Sequence, residues 1–129
     1  MGSEIFELSG HTHQCRIVMP ANLNDHETLF GGELLKWMDE VAYITAKRFC
    51  RQEMVTVSAD SIKFREPVFG GTIIELVGKI AHSGNASVLV LVEVFADSVT
   101  KSNNQVVAEG YFKFASVDKN HKIRRIQIP

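Results

Sequence analysis

Residues 33–51 are the one long stretch of this chain in which apolar side chains return at helical spacing, through Leu34, Leu35, Trp37, Met38, Val41, Ala42, Ile44, Ala46 and Phe49. Set at about 100° per residue, these positions fill an arc of roughly 200°, against a stripe of about 100° on an ordinary surface helix. So wide an apolar face has to be wrapped by other structure. The wrapping must come from strands, because no segment after Arg51 has helical periodicity.

The strand signals are regular. Residues 13–19 alternate through Cys15, Ile17 and Met19 and stop at Pro20 and the polar run 22–26. Residues 54–64 are rich in Val, Thr and Ile. Residues 72–81 follow a turn at 67–71, 87–95 follow Ser83-Gly84-Asn85, and 106–117 follow Ser102-Asn103-Asn104. The run Val88, Leu89, Val90, Leu91, Val92, Val94, Phe95 suits a central strand covered on both faces. Strand, helix, then four strands predicts an α+β chain: a curved antiparallel sheet of about five strands, those after the helix paired as a meander, with one long helix on its concave face. A ferredoxin-like arrangement would need a second helix after Arg51. With no repeat, linker or low-complexity stretch, residues 1–129 read as a single domain with its core at about 13–117.

Composition narrows the function classes. Hydrophobic residues make up 45% and charged residues 22%, which supplies a core and excludes a disordered chain. A net charge of -1 leaves no basic field for nucleic acid or an anionic membrane. Lys119, Lys122, Arg124 and Arg125 crowd the C-terminus, either as a solvated tail or as a phosphate contact. Cys15 and Cys50 have neither disulfide-framework nor metal-ligand spacing and fit reduced thiols in the cytoplasm. Residues 1–12 contain Glu4 and Glu7 and no sustained apolar run, so neither a secretory signal nor a membrane span is expected. Phe6 stands where a myristoylation signal needs Ser or Thr.

Residues 24–42 place a polar loop, a glycine pair and a helix carboxylate in series. Gly31 and Gly32 lack a β-carbon at a helix N-terminus, where free N–H groups attract developing negative charge. They either form an oxyanion site or shape the turn into the helix. Asp39 falls inside the helix at the margin of the apolar arc, a poor place for Asp unless it has a task or a polar partner. Glu40, on the polar side with Lys36 and Lys47, is expected to be solvated. Gly31 and Asp39 are eight positions apart, about 12 Å along a helix. If both act on one carbonyl, they should come from two subunits with antiparallel helices.

Asn24, Thr28-Leu29-Phe30-Gly31-Gly32, Met38-Asp39-Glu40-Val41-Ala42, Ile62-Lys63-Phe64-Arg65-Glu66-Pro67-Val68, and Gly84 with Ser87 together resemble the cytosolic acyl-CoA thioesterases of the hotdog superfamily. That group includes broad-specificity bacterial acyl-CoA hydrolases and brain-type acyl-CoA hydrolase, and the likeness spans about 13–117. The resemblance implies the hotdog fold and hydrolysis of acyl-CoA to free acid and coenzyme A. It further implies no metal and no bound cofactor, and assembly as dimers and a trimer of dimers, a hexamer. On that analogy Asp39 activates water or attacks directly, Asn24 of the facing subunit holds the water or the thioester, and the N–H of Gly31 or Gly32 polarises the carbonyl. Phe64 and Arg65 would flank the pantetheine arm, and Ser83, Gly84, Asn85 and Ser87 the nucleotide. Arg65 reads equally well as an exposed strand residue beside Glu66. One departure is Glu27, where many members have Gly.

Other features carry less. His11 and His13 form an HxH before the first strand with no third ligand nearby, His26 reads as a polar loop residue, and Trp37 as core or dimer interface. No Ser, His and Asp set is spaced as a triad, so a serine esterase is not indicated, and no phosphate loop or dinucleotide fingerprint is present. A non-catalytic acyl-CoA binding or sensing protein on the same fold is the alternative. A dehydratase of this fold would need a catalytic His where the chain has Asn24 and the glycines.

Overall fold

The structure, a computed structural model, describes residues 11–97 and 105–126, so the expected turn at Ser102-Asn103-Asn104 lies outside the described residues. Strand β1 (His11–Ile17) leads through a 3₁₀ turn (Pro20–Asn22) to helix α1 (Gly31–Cys50). Strands β2 (Met54–Phe64), β3 (Ile73–Ser83), β4 (Ser87–Ala96) and β5 (Gln105–Ser116) follow. The sheet order is β1-β3-β4-β5-β2, with every pairing antiparallel.

Strands β3, β4 and β5 form the expected meander, but β2 does not join it at β3. It pairs with β5 at the far edge, and residues 65–72 carry the chain back across. That link is too long for a tight hairpin and contains Pro67. It is bonded instead to the helix entrance and to the first loop, through Leu29 N to Val68 O at 2.7 Å and Gly71 N to Val18 O at 2.8 Å.

The first strand also differs from expectation. It starts at His11 and ends at Ile17, so both histidines lie in β1, while Met19 donates its N–H to Asn22 Oδ1 at 2.9 Å in the turn that follows. Among the described residues no group of three His, Cys, Asp or Glu side chains is placed to hold a metal ion.

Helix α1 buries Leu34, Trp37, Met38, Val41, Ala42, Thr45, Ala46 and Cys50 against the sheet and stops at Arg51, which adopts the left-handed conformation at φ 57. Ile44, expected in the apolar arc, is instead 40% exposed, and Thr45 takes the buried place. Thr45 Oγ1 lies 2.8 Å from both Thr12 Oγ1 and Val41 O. A β-carbon at Gly78 would come within 2.3 Å of that hydroxyl, so the missing side chain on β3 sets how closely helix and sheet approach. Strand β4 is central, as its apolar run predicts. Its Val88, Val90, Val92 and Val94 are fully buried under the helix, whereas Leu89, Leu91 and Glu93 on the other face are half-buried in the single chain. Expected coverage on both faces is therefore complete on one.

Candidate active site

The start of α1 is chemically exposed. Phe30 occupies the N-cap with extended φ −61 and ψ 129 and makes no side-chain capping bond, so the first N–H groups of the helix, at Gly31, Gly32 and Glu33, receive no side-chain cap. Neither glycine has a positive φ. A β-carbon at Gly32 would meet nothing within 4 Å, and one at Gly31 would make only an ordinary 3.8 Å contact with the Phe64 ring. Neither backbone strain nor packing inside this chain requires Gly there, although Gly weakens a helix by roughly 0.5–1 kcal/mol relative to Ala.

Two clefts flank this helix start. One, about 320 Å³, joins Gly31 and Leu29 to Phe64, Arg65 and Pro67. The other, about 310 Å³, runs along the helix from Gly32 past Leu35 and Lys36 to Asp39, with Thr56, Ala59 and Phe112 as its far wall. Asp39 is half-buried there, and Thr56 donates its hydroxyl to Asp39 Oδ1 across 3.3 Å. Thr56 escaped the sequence reading. Its signal is parity, since Met54 two residues earlier is buried under the helix and Thr56 shares its face. Glu40 is exposed as expected but is not merely solvated. Arg16 stacks 4.6 Å over the Trp37 ring and reaches Glu40 at 3.6 Å.

Asn24 anchors the loop before the helix. Its Oδ1 accepts the N–H groups of His26 at 2.9 Å and Thr28 at 3.1 Å, and its Nδ2 donates to Thr28 Oγ1 at 3.0 Å. Glu27 sits in this loop at φ 62, the left-handed conformation that favours Gly. The departure at this position therefore leaves a glycine-type loop shape in place, at a conformational cost.

The residues assigned to the coenzyme fall into two separate places. Phe64 and Arg65 lie with Gly31, and the exposed Arg65 is ion-paired with Glu109 on β5. Ser83, Gly84, Asn85 and Ser87 form the β3–β4 turn at the opposite end of the sheet. Phe64 pairs with Ala108 and Ser87 with Ala115, so the two patches are separated by roughly 23 Å along β5 in one chain. The basic C-terminal segment, however, is no loose tail. It folds back onto that turn through Ile126 N to Asn85 O at 2.7 Å, and Arg124 N bonds Ser116 O at 2.7 Å. Asp118 shapes it by accepting the N–H groups of Lys122 and Asn120, which hold its carboxyl below the usual value. Lys119, Lys122, Arg124 and Arg125 remain exposed.

The sequence profile of the thioesterase superfamily matches residues 26–102, which include the glycine pair, Asp39 and Thr56. The chain belongs to that superfamily. An uncharacterized acyl-CoA thioester hydrolase of Bacillus subtilis is 34% identical over 81% of this chain and 61% of its own length. The human cytosolic acyl coenzyme A thioester hydrolase is 32% identical over 88% of this chain and 30% of its own. This thioesterase-superfamily chain thus spans less than two-thirds of either relative. Among solved structures, a Staphylococcus aureus acyl-CoA hydrolase in complex with butyryl coenzyme A, coenzyme A and coenzyme A disulfide superposes with a TM-score of 0.88. It is 30% identical over 95% of this chain and 74% of that one. A hexameric thioesterase of Yersinia pestis superposes at 0.82, with 29% identity over 88% of this chain and 93% of that one. The single helix on a five-stranded antiparallel sheet is the hotdog fold of these neighbours. The Staphylococcus aureus enzyme was also solved with an asparagine, an aspartate or a threonine changed to alanine. Those positions are spaced fifteen and seventeen residues apart, the order and spacing of Asn24, Asp39 and Thr56 here.

Proposed function

We propose that this chain hydrolyses acyl-CoA thioesters to the free acid and coenzyme A, with Asp39 as the carboxylate that activates water or attacks the carbonyl. The observation that carries the reading is the cleft joining Gly32 to Asp39. It combines an apolar wall, a half-buried carboxylate held by Thr56, and an uncapped helix start whose glycines have no use inside the chain. Those are the parts that thioester hydrolysis needs. Water deprotonated by the carboxylate forms the bond to the carbonyl carbon, or the carboxylate forms it first and water then cleaves the resulting anhydride; N–H donors stabilise the tetrahedral oxygen, and the sulfur leaves as thiol once it regains a proton. Among the described residues no step calls for a metal or a bound cofactor.

The site is read as shared between subunits. Gly31 lines the other cleft, and Gly32, though it borders the cleft of Asp39, stands about 10 Å from it along the helix, so a carbonyl at Asp39 would take its N–H donors from the glycine pair of a facing copy, with Asn24 of that copy alongside. Among the described residues strand β2 is an edge of the sheet with Val55 and Val57 exposed, which suits antiparallel pairing of two copies, and the hexameric neighbour suits a trimer of such dimers. An extended coenzyme would lie across chains, with its pantetheine arm beside Phe64 and its phosphates near Ser83, Gly84, Asn85, Ser87 and the basic segment. The cytoplasm is the expected compartment. Cys15 and Cys50 are unpaired, no described helix is long and apolar enough to cross a membrane, and the human relative is cytosolic.

The decisive assay follows thiol release from acyl-CoA esters of graded chain length, beside Asp39→Asn and with native mass measured on the same preparation. Release by the wild-type hexamer and its loss in the variant support the proposal. Binding of the esters without release would instead make the chain a non-catalytic acyl-CoA sensor.

A further inference from the structure

The Asn24 side chain is held so that it can only donate. Two backbone N–H groups, of His26 and Thr28, point at its Oδ1 and occupy both acceptor positions of that oxygen. They also fix which end of the amide is which, since turning it over would set two N–H donors against an NH₂ group. Thr28 Oγ1 accepts one N–H of the amide from Nδ2 at 3.0 Å, and its own O–H lies within donating distance of Oδ1 at 3.2 Å. One N–H of Asn24 is left for anything that meets the loop. The main chain is closed around the same pair, by Asn24 N to Thr28 O at 2.8 Å and Glu27 N to Asn24 O at 3.0 Å. The loop runs directly into the uncapped start of α1, with Phe30 N bonded to Asn22 O at 3.0 Å.

We propose that Thr28 is a positioning residue for the hydrolysis: its hydroxyl holds the Asn24 amide so that a single N–H is presented to an oxygen acceptor, either the substrate carbonyl or the attacking water. This rests on the proposed thioesterase activity and narrows it. A group that can only donate does not serve as base, so proton removal is left to Asp39, and Asn24 stabilises or orients an oxygen lone pair. Thr28 itself touches no substrate. Its backbone N–H would hold Oδ1 in any variant, whereas only its hydroxyl fixes the NH₂ end. The hydroxyl is therefore separable from the fold of the loop.

Thr28→Val keeps the branched shape and the backbone donor and removes the acceptor. Its kcat should fall by about tenfold while KM stays within about twofold, as expected when one hydrogen bond that orients a reacting group is lost. Thr28→Ser should restore kcat to within about twofold of the wild type. A second readout does not depend on turnover: the Asn24 side-chain amide resonance, identified by its absence in Asn24→Asp, should shift in Thr28→Val and return in Thr28→Ser. A Thr28→Val enzyme with wild-type kcat, a Thr28→Ser enzyme as impaired as Thr28→Val, or an amide resonance unmoved by the valine would each overturn the inference. If the wild type itself releases no thiol from acyl-CoA, the proposed function fails, and the amide resonance still decides how Thr28 holds Asn24.

Discussion

Thr56, on the free edge strand, donates its hydroxyl to Asp39 Oδ1 from across the cleft, so the carboxylate of the helix is steered by the strand that faces it. The bond leaves the second carboxylate oxygen for a water or a carbonyl carbon. Asp39→Asn keeps the shape and the bond to Thr56 but removes the basic oxygen, and its kcat should fall by about a hundredfold or more, the usual worth of a general base. Thr56→Val removes only the steering, and kcat should fall by roughly three- to tenfold. Both variants should keep the thermal midpoint within a few degrees of the wild type, because neither side chain is fully buried. Thiol-release kinetics on the purified variants check this. An Asp39→Asn enzyme with unchanged turnover would remove the carboxylate from the mechanism.

Gly32 gives a prediction in which stability and activity move in opposite directions. Its φ is not positive and the space in front of it is empty, so Gly32→Ala should be accommodated in the single chain and should strengthen the helix, by about 0.5 kcal/mol. The same methyl group would stand where a substrate or a facing copy approaches the first N–H groups. Turnover should fall by about tenfold or more, as it does when an oxyanion donor is displaced. Thermal melting beside thiol release measures both. A variant as active as the wild type would leave the glycine pair without a catalytic part.

The helix and the order of elements along the chain were legible because the signals are local: apolar spacing from Leu34 to Ala46, and the uninterrupted run on β4. The pairing of β2 with β5 was not, since no local pattern tells an edge strand which end of the sheet it will join. That choice is made by the 65–72 link, which bonds Leu29 and Val18, residues far away in sequence. Asp39 stood out as a carboxylate at the edge of an apolar arc. Thr56 did not, because its role appears only when the strand is laid against the helix. Arg65 shows the reverse failure: the sequence offered Glu66 next to it as company, while the register of β2 on β5 delivers Glu109.

Glu27 holds a backbone conformation that suits glycine better. At φ 62 an L-residue costs about 1–2 kcal/mol relative to Gly, partly offset by the greater freedom that Gly loses on folding. Glu27→Gly should therefore stabilise the protein by roughly 0.5–1 kcal/mol and raise its thermal midpoint by about 2–5 °C. Because the Asn24 to Thr28 bonds are made in the same backbone conformation, kcat should be unchanged. A melting curve and one saturating-substrate assay suffice. A destabilised variant would mean that Glu27 contributes a contact that outweighs its strained backbone.

Cys50 closes the buried end of α1, where burial pushes its thiol up to about 11 from the ordinary 9.0. The folded chain thus holds the thiol proton more tightly than the unfolded chain does. Between pH 9 and 11 the unfolded state has released that proton while the folded state still carries it, so the stability gained from the neutral buried thiol is fully present below pH 9 and is lost as pH rises through the window. Other groups titrate there too, and the comparison that isolates Cys50 is with Cys50→Ala. The wild type should lose on the order of 1 kcal/mol more than the variant between the two ends of the window. Cys15, exposed on β1, provides the contrast within one molecule. Its pKa is also raised, by partial desolvation and then by the Glu75 carboxylate beside it, yet a thiol reagent can reach it in the folded state. At pH 8 one thiol per chain should react before unfolding and the second only in denaturant. Reaction of both thiols at the same rate in the native protein would show that the C-terminal end of the helix opens far more readily than its packing under the sheet allows.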